Sequence, residues 1–379
     1  MTTSLARRMS VTGVVALVLG ACLPGTASAA DGGTPADILA AVLRQPFADT
    51  SVWNTPIGSG ARYVPAGLPR VPRGDVWAPM PQDDGNHLIF TPDAPLTAVH
   101  QSGAGWTGRS RCPATGPTLF SAPIPRDYVV PSSNENEGAA VLMADKRTVR
   151  LVTPLARCSV GGPATAMDSS GPVDIYGDGL STRPGGAGLT GNPGGVLRLG
   201  DLAPGPATGP RHALRILVDT AQVLFRCRTD AQCSRWPAAT SDRGSVGGYG
   251  TIGNNRNTAM RMGSLLAIPA DIDLARLGLE TDPGRQLAWT MQNFGAYIAD
   301  STGGASFGFV TERGPQGSFA DTFRREHGFP FAQRVRDNTP WSRDVQRIMV
   351  ALAVVDDNGP TSIGGGGTPR VARADLPGR

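Results

Sequence analysis

Charge and aromatic character are both scarce in this chain. Of its 379 residues only 17% are charged and 6% aromatic, and the net charge of +4 contains no block of five or more Lys or Arg. That thin spread argues against a nucleic-acid partner. Histidine is scarcer still, with His87, His100, His212 and His327 the whole complement, so a histidine-rich metal site is not expected. No G-x-x-x-x-G-K-[ST] loop, H-E-x-x-H helix or G-x-S-x-G elbow is present, and the Gly364–Gly367 run lacks a following Lys. These absences leave no cofactor to expect. Beyond Ala30 no apolar run reaches the ~20 residues that a membrane span requires.

The N-terminus does carry a signal. Arg7 and Arg8 precede a short apolar run over residues 11–23, and Ala27-Ser28-Ala29 follows. A charged start, a short apolar middle and a small-x-small exit describe an export signal over residues 1–29. Arg7-Arg8 also suits a twin-arginine route. Leu19-Gly20-Ala21-Cys22 reads as a competing lipoprotein box, and only lipidation of Cys22 would attach the chain to a membrane.

Removing the signal leaves four of five cysteines: Cys112, Cys158, Cys227 and Cys233. An even number in an exported chain points to disulfides, and no C-x-x-C pair supports zinc instead. Cys227–Cys233 across a short turn is the most economical pairing, which leaves Cys112–Cys158.

Glycine (50) and proline (33) are abundant, as befits many short strands joined by turns. Residues 139–144 and 148–153 flank Asp145-Lys146-Arg147 as a hairpin. Further strand runs fall at 173–176, 196–199, 213–218 and 223–227. Their spacing predicts a mainly β protein, an antiparallel β-sandwich or barrel-like domain with two or three peripheral helices. One helix is expected from Asp282-Pro283, with Leu287, Met291, Phe294 and Ile298 on one face, and another from Thr339-Pro340. The expected organisation is signal 1–29, linker 30–46, a single domain 47–358 and a flexible Gly-rich tail 359–379.

The acidic residues suggest chemistry. Asp174 and Asp178 close the apolar run 173–176 and enter a glycine-dense stretch, 177–195, whose backbone is expected close to a ligand. Glu135 and Glu137 share a face before residue 139. Glycoside hydrolysis needs two carboxylates ~5–10 Å apart, and these pairs are candidates. A lyase would instead use His212 or Tyr297, beside Asp300, with Arg198, Arg211 or Arg215 neutralising a uronate. Trp53, Asn54 and Trp236 sit among turn residues and are candidates for contact with sugar. An extracellular polysaccharide is therefore the expected partner, and a non-catalytic carbohydrate-binding or cell-envelope protein is the reading outside enzymes.

The motifs Ser51-Val52-Trp53-Asn54-Thr55-Pro56-Ile57, Asp174-Ile175-Tyr176-Gly177-Asp178-Gly179, Gly194-Gly195-Val196-Leu197-Arg198-Leu199-Gly200, Arg211-His212-Ala213-Leu214, Arg235-Trp236-Pro237-Ala238 and Tyr297-Ile298-Ala299-Asp300 resemble a family of secreted, actinomycete-type bacterial proteins. The resemblance spans residue 47 to the Gly-rich tail and implies export without naming an activity. Its members carry Gly-Ala-His-Gly-Gly after the Tyr-Gly-Asp-Gly turn, whereas this chain has Thr182-Arg183-Pro184-Gly185-Gly186. A catalytic use of that histidine is thereby closed to it.

Overall fold

Short apolar segments punctuated by Gly and Pro pair here into two sheets. The computed structural model describes residues 34–70, 78, 86–106, 108–181, 192–302, 304–374 and 376. The export signal with Cys22, residues 182–191 and Trp77 lie outside them. The strands are β1 (Tyr63–Pro65), β2 (Asn86–Ile89), β3 (Leu96–Gln101), β4 (Thr118–Pro123), β5 (Ala139–Leu142), β6 (Thr148–Ala156) and β7 (Ala164–Asp174). There follow β8 (Leu214–Val218), β9 (Leu265–Ala267), β10 (Ala296–Ser301), β11 (Phe307–Phe309), β12 (Glu312–Gly314), β13 (Gly317–Ser318) and β14 (Ala353–Val355).

The smaller sheet has the order β1-β14-β9-β10-β8-β11, and the larger β13-β12-β2-β5-β6-β7-β3-β4. The expected hairpin is β5–β6, with Leu142 opposite Val149. The Asp145 carboxylate accepts from the Arg147 and Thr148 amides at 2.9 and 2.8 Å, and Lys146 takes a left-handed φ of 57°. Most other pairings are antiparallel as expected, among them β6–β7 and β3–β4, but not all. β2 runs parallel to β5 and β12, β3 to β7, and β8 to β10, so both sheets are mixed. Side-chain alternation marks a strand's buried face but carries no record of its partner's direction.

Helices α1 (Pro35–Arg44), α2 (Thr220–Val223), α3 (Asp230–Cys233), α4 (Ser245–Gly248), α5 (Asp282–Asn293), α6 (Phe319–His327) and α7 (Pro340–Val350) complete the described elements, with three short 3-10 turns. α5 and α7 are the two expected helices; the Thr281 and Thr339 hydroxyls cap them, so Asp282 lies within the first turn instead of capping it. The run at 223–227 is no strand: α2 ends at Val223 and irregular chain leads to Cys227. At 196–199 only an isolated bridge, Leu197 to Thr311, forms. α1 occupies the expected linker, opened by a Thr34–Asp37 capping box.

The glycine run does not hang free. Gly58 bridges Pro369, the Gly60 amide donates to Gly366 at 3.0 Å, and Arg370 Nη1 donates to the Gln292 carbonyl at 2.7 Å. Gly365, at φ 84°, lies so close to Ala61 that a Cβ would fall 2.5 Å from its Cα. Here glycine permits backbone contact, and the looseness expected of 359–379 is corrected as far as Arg370.

One apolar cluster draws on both sheets, joining Leu88, Ala140 and Val149 of the larger to Leu217, Leu265 and Val355 of the smaller. A separate cluster, with Ile89, Val99, Val141 and Val152, covers the other face of the larger sheet. No helix among the described residues is long and apolar enough to cross a membrane. Both expected disulfides have bonding geometry, with Cα separations of 5.5 Å for Cys112–Cys158 and 5.1 Å for Cys227–Cys233. They span 46 and 6 residues. Loop-closure entropy then predicts that a Cys112→Ser/Cys158→Ser protein loses about 2 kcal/mol more stability than Cys227→Ser/Cys233→Ser. Urea unfolding of the two variants checks this; equal losses would contradict it.

Candidate active site

Four distant segments meet on the face of the larger sheet that carries Ile89. β2 places His87 opposite Arg313 of β12 and opposite Ala139 of β5. Glu137 sits two residues before Ala139, and Tyr128 lies in the turn that follows β4. The result is a chain of hydrogen bonds. Tyr128 Oη is 2.6 Å from His87 Nδ1, and His87 Nε2 is 2.7 Å from Glu137 Oε2. Ser133 Oγ donates to Glu137 Oε1 at 3.0 Å, and Arg313 Nη1 lies 3.7 Å from Oε2.

Protonation follows from the partners. An ionised Glu137 only accepts, so His87 Nε2 carries the hydrogen and Nδ1 receives the Tyr128 hydroxyl. His87 and Glu137 are buried, Tyr128 is half-buried, and the Arg313 side chain is 39% exposed. The Arg313 guanidinium is thus the part-exposed group beside a buried imidazole–carboxylate pair, and the phenol directs its hydroxyl at the imidazole. Glu137 also has φ 41°, a left-handed conformation that costs a non-glycine residue ~1–3 kcal/mol and often marks a functional site.

Two further groups border this relay. Arg111 is 1% exposed; its Nε donates to the Gly105 carbonyl at 2.8 Å and its Nη1 to Ser133 at 3.5 Å, but Nη2 has no hydrogen-bond partner. Its unpaired Nη2 is a spare donor, but one enclosed by protein and shut off from solvent. Trp106 is 47% exposed, yet its indole is anchored through Nε1 to Asn136 at 3.0 Å, one residue from Glu137.

Burial pushes the Tyr128 hydroxyl well above the ordinary tyrosine value, with the Arg313 charge opposing and the Glu137 charge assisting. Burial alone would raise the Glu137 carboxyl too. The His87 and Ser133 hydrogen bonds and the Arg313 charge outweigh it and hold the group below its usual value. Its folded value is therefore depressed. The stabilisation is complete above the unfolded value of ~4.3 and is lost as pH falls through the folded one. Chemical denaturation between pH 6 and pH 3 should show a steeper acid loss in the parent than in Glu137→Gln; parallel curves would contradict the assignment.

Of the residues expected from the sequence, only Glu137 belongs to this relay. Asp174 forms an ion pair with Arg147 at 2.7 Å on the surface, and Asp178 caps a turn through the Leu180 amide at 3.0 Å. They are not a convergent carboxylate pair. Tyr297 is 1% exposed, its hydroxyl 3.4 Å from Asn358, and burial pushes its pKa up. It is a core group without access to substrate. Asp300, at the end of β10, accepts from the Ser301 amide at 2.8 Å.

Trp53 and Asn54 are also corrected. Each is 1% exposed. Asn54 Nδ2 donates to the carbonyls of Pro46, Phe47 and Ala48, tying down the chain after α1. A Cβ on Gly179, Gly194 or Gly195 would fall within 2.6 Å of the Trp53 indole. These glycines serve a side chain of the core, and not a ligand. Trp236 is half-buried against the same cluster.

Arg198 and His212 meet in a second place, a cavity of about 840 Å³ that Asp201 and Glu312 also line. Arg198 Nε donates to Glu312 at 2.8 Å, its amide donates to Asp201 at 2.7 Å, and His212 Nε2 is 3.3 Å from the same Asp201 oxygen. Glu312 and Arg313 are neighbours on one strand, so their side chains leave opposite faces of the sheet. The cavity and the relay are accordingly separate. The Asp201 and Glu312 carboxylates are largely occupied in holding the Arg198 loop, since Leu199 also donates its amide to Glu312 at 2.9 Å. Arg211 lines this cavity, whereas Arg215 is buried in β8.

His87, Tyr128, Arg111 and Arg313 were not singled out by the sequence. The hydrogen-bonded pairs are 41 and 50 residues apart in the chain, and no local spacing encodes their meeting. The one usable signal was a histidine followed by two apolar residues after Asp83-Asp84-Gly85-Asn86, a strand start hidden in a turn-rich stretch. No protein-family model, curated protein or solved structure matches the chain. Its function is therefore argued from this geometry.

Proposed function

We propose that the protein is an exported enzyme that cleaves an acidic polysaccharide by β-elimination, with Tyr128 as the proton carrier. The observation that carries this reading is the Tyr128–His87–Glu137 chain beside the part-exposed Arg313 guanidinium. The signal pattern over residues 1–29 and the two disulfides support export. The apolar cluster common to both sheets supports a sandwich-type reading of the architecture.

The chemistry needs acidification of a hydrogen on the carbon beside a uronate carboxylate. Arg313 would neutralise that carboxylate, stabilising the charge that develops as the proton leaves. Tyr128 Oη passes its proton to His87 Nδ1, and Glu137 stabilises the imidazolium. The phenolate takes the carbon-bound proton. The electron pair forms a carbon–carbon double bond and expels the glycosidic oxygen, which takes the proton now on Oη. The imidazolium then returns its proton to Oη, and every group is restored. Burial opposes formation of the phenolate and the Arg313 charge favours it, so the transfer from Oη to His87 relies on Arg313. Trp106 offers a fixed ring on which a sugar can stack.

A panel of uronate-containing and neutral glycans, followed by ultraviolet absorbance and by reducing ends, tests the reading. New absorbance with acidic glycans only is the expected result. Reducing ends without absorbance would favour hydrolysis, for which Asp201 and Glu312 lining one cavity are the supporting observation. No product with any glycan would overturn the enzymatic reading and leave a binding protein.

A further inference from the structure

A second basic site lies apart from both places described above. Residues 225–228 and 254–256 line a cavity of about 1010 Å³, also bordered by Gln232, Val246 and Gly247. The charged residues lining it are Arg226, Arg228 and Arg256, with no carboxylate among them. Arg226 Nη1 donates to Asn254 at 2.9 Å. The side chains of Arg228 and Arg256 make no hydrogen bond or ion pair with the described residues and are exposed.

Three like charges around one concavity repel one another and favour an anion between them. The lining is fixed independently of any ligand. Cys227–Cys233 ties one segment, and the Arg226 amide donates to the Asn255 carbonyl at 2.9 Å, joining it to the other. Gln232 accepts the Arg228 amide through Oε1 at 3.0 Å, which directs its NH2 group to act as a donor. Phe225 and Val246 add apolar surface, Val246 being 42% exposed. Guanidinium forks, an amide donor and apolar surface together match a sugar ring that bears a planar or tetrahedral oxyanion.

We infer that this cavity is an anion-selective glycan subsite, binding the carboxylate or sulfate groups of an acidic polysaccharide away from the reacting bond. Its ligand class agrees with the proposed substrate, but the anion preference stands on the arginines alone. Such a subsite would hold a long chain on the enzyme between cleavage events without touching the reacting atoms.

The test is equilibrium binding of polygalacturonate, heparin and neutral dextran to the mature protein and to an R228Q/R256Q variant, at low and moderate salt. R226Q/R228Q/R256Q provides a second variant should more charge need removing. The expected result is binding of at least one polyanion, no binding of dextran, and an affinity at least 10-fold weaker in the variants with a shallower salt dependence. Preference between polygalacturonate and heparin distinguishes carboxylate from sulfate. Unchanged affinity in both variants, equal binding of dextran, or tighter binding of single-stranded DNA than of any glycan would overturn the proposal. Turnover of short acidic oligosaccharides should be unaltered in the variants, so loss of the subsite and loss of β-elimination register separately.

Discussion

A Glu137→Gln protein should fold and yet turn over its acidic glycan about 10²–10⁴-fold more slowly. The expectation follows from the direction of two hydrogen bonds. The Glu137 carboxylate, 2.7 Å from His87 Nε2, fixes the hydrogen on that nitrogen and leaves Nδ1 free to receive the Tyr128 proton. A glutamine can present its NH2 group instead and favour the opposite tautomer, in which Nδ1 already carries a hydrogen. It also removes the charge that stabilises the imidazolium. Shape and hydrogen-bonding capacity are nearly conserved, so the loss should fall on kcat with KM little changed. Full turnover by Glu137→Gln, with its unfolding transition intact, would remove the relay from the mechanism.

Trp53→Ala should cost about 3–5 kcal/mol of stability, a large part of the ~5–15 kcal/mol typical of a domain. The indole is 1% exposed, makes an edge-on contact with Tyr297 at 5.6 Å, and donates through Nε1 to Gly179 at 3.0 Å. Asn192 Nδ2 also donates to that carbonyl, at 2.7 Å, so the carbonyl keeps a partner and the loss comes chiefly from the cavity left by the ring. Trp53→Phe should recover part of the difference. Urea unfolding with the disulfides intact measures both. A loss below about 1 kcal/mol accompanied by weakened glycan binding would restore Trp53 to the surface role its motif suggested.

Local signals survived the passage from sequence to structure, and pairing signals did not. The β5–β6 hairpin was legible because Asp145-Lys146-Arg147 supplies its own turn chemistry, and α5 and α7 because a proline, Pro283 or Pro340, stands in the first turn ahead of a periodic apolar face. α6 was missed because only Phe319 and Phe323 mark its buried face amid charged neighbours. Parallel pairings such as β2–β5 depend on excursions through β3 and β4, which periodicity cannot register. Glu137 was visible as an acidic residue ahead of a strand. Its partners were not, because His87, Tyr128 and Arg313 meet only once three separate strand connections have formed. Trp53 misled for the opposite reason: turn residues flank it in sequence, while the glycines that enclose it arrive from residues 179, 194 and 195.

The choice between the relay and the Arg198 cavity is open to one measurement. Tyr128→Phe and the double variant Asp201→Asn/Glu312→Gln should be assayed side by side on a glycan the parent cleaves, with absorbance of unsaturated ends and total reducing ends recorded together. The relay predicts that Tyr128→Phe forms almost no product of either kind, while the double variant, if folded by its unfolding transition, still forms unsaturated ends. Undiminished cleavage by Tyr128→Phe, with activity lost in a folded double variant, would contradict it.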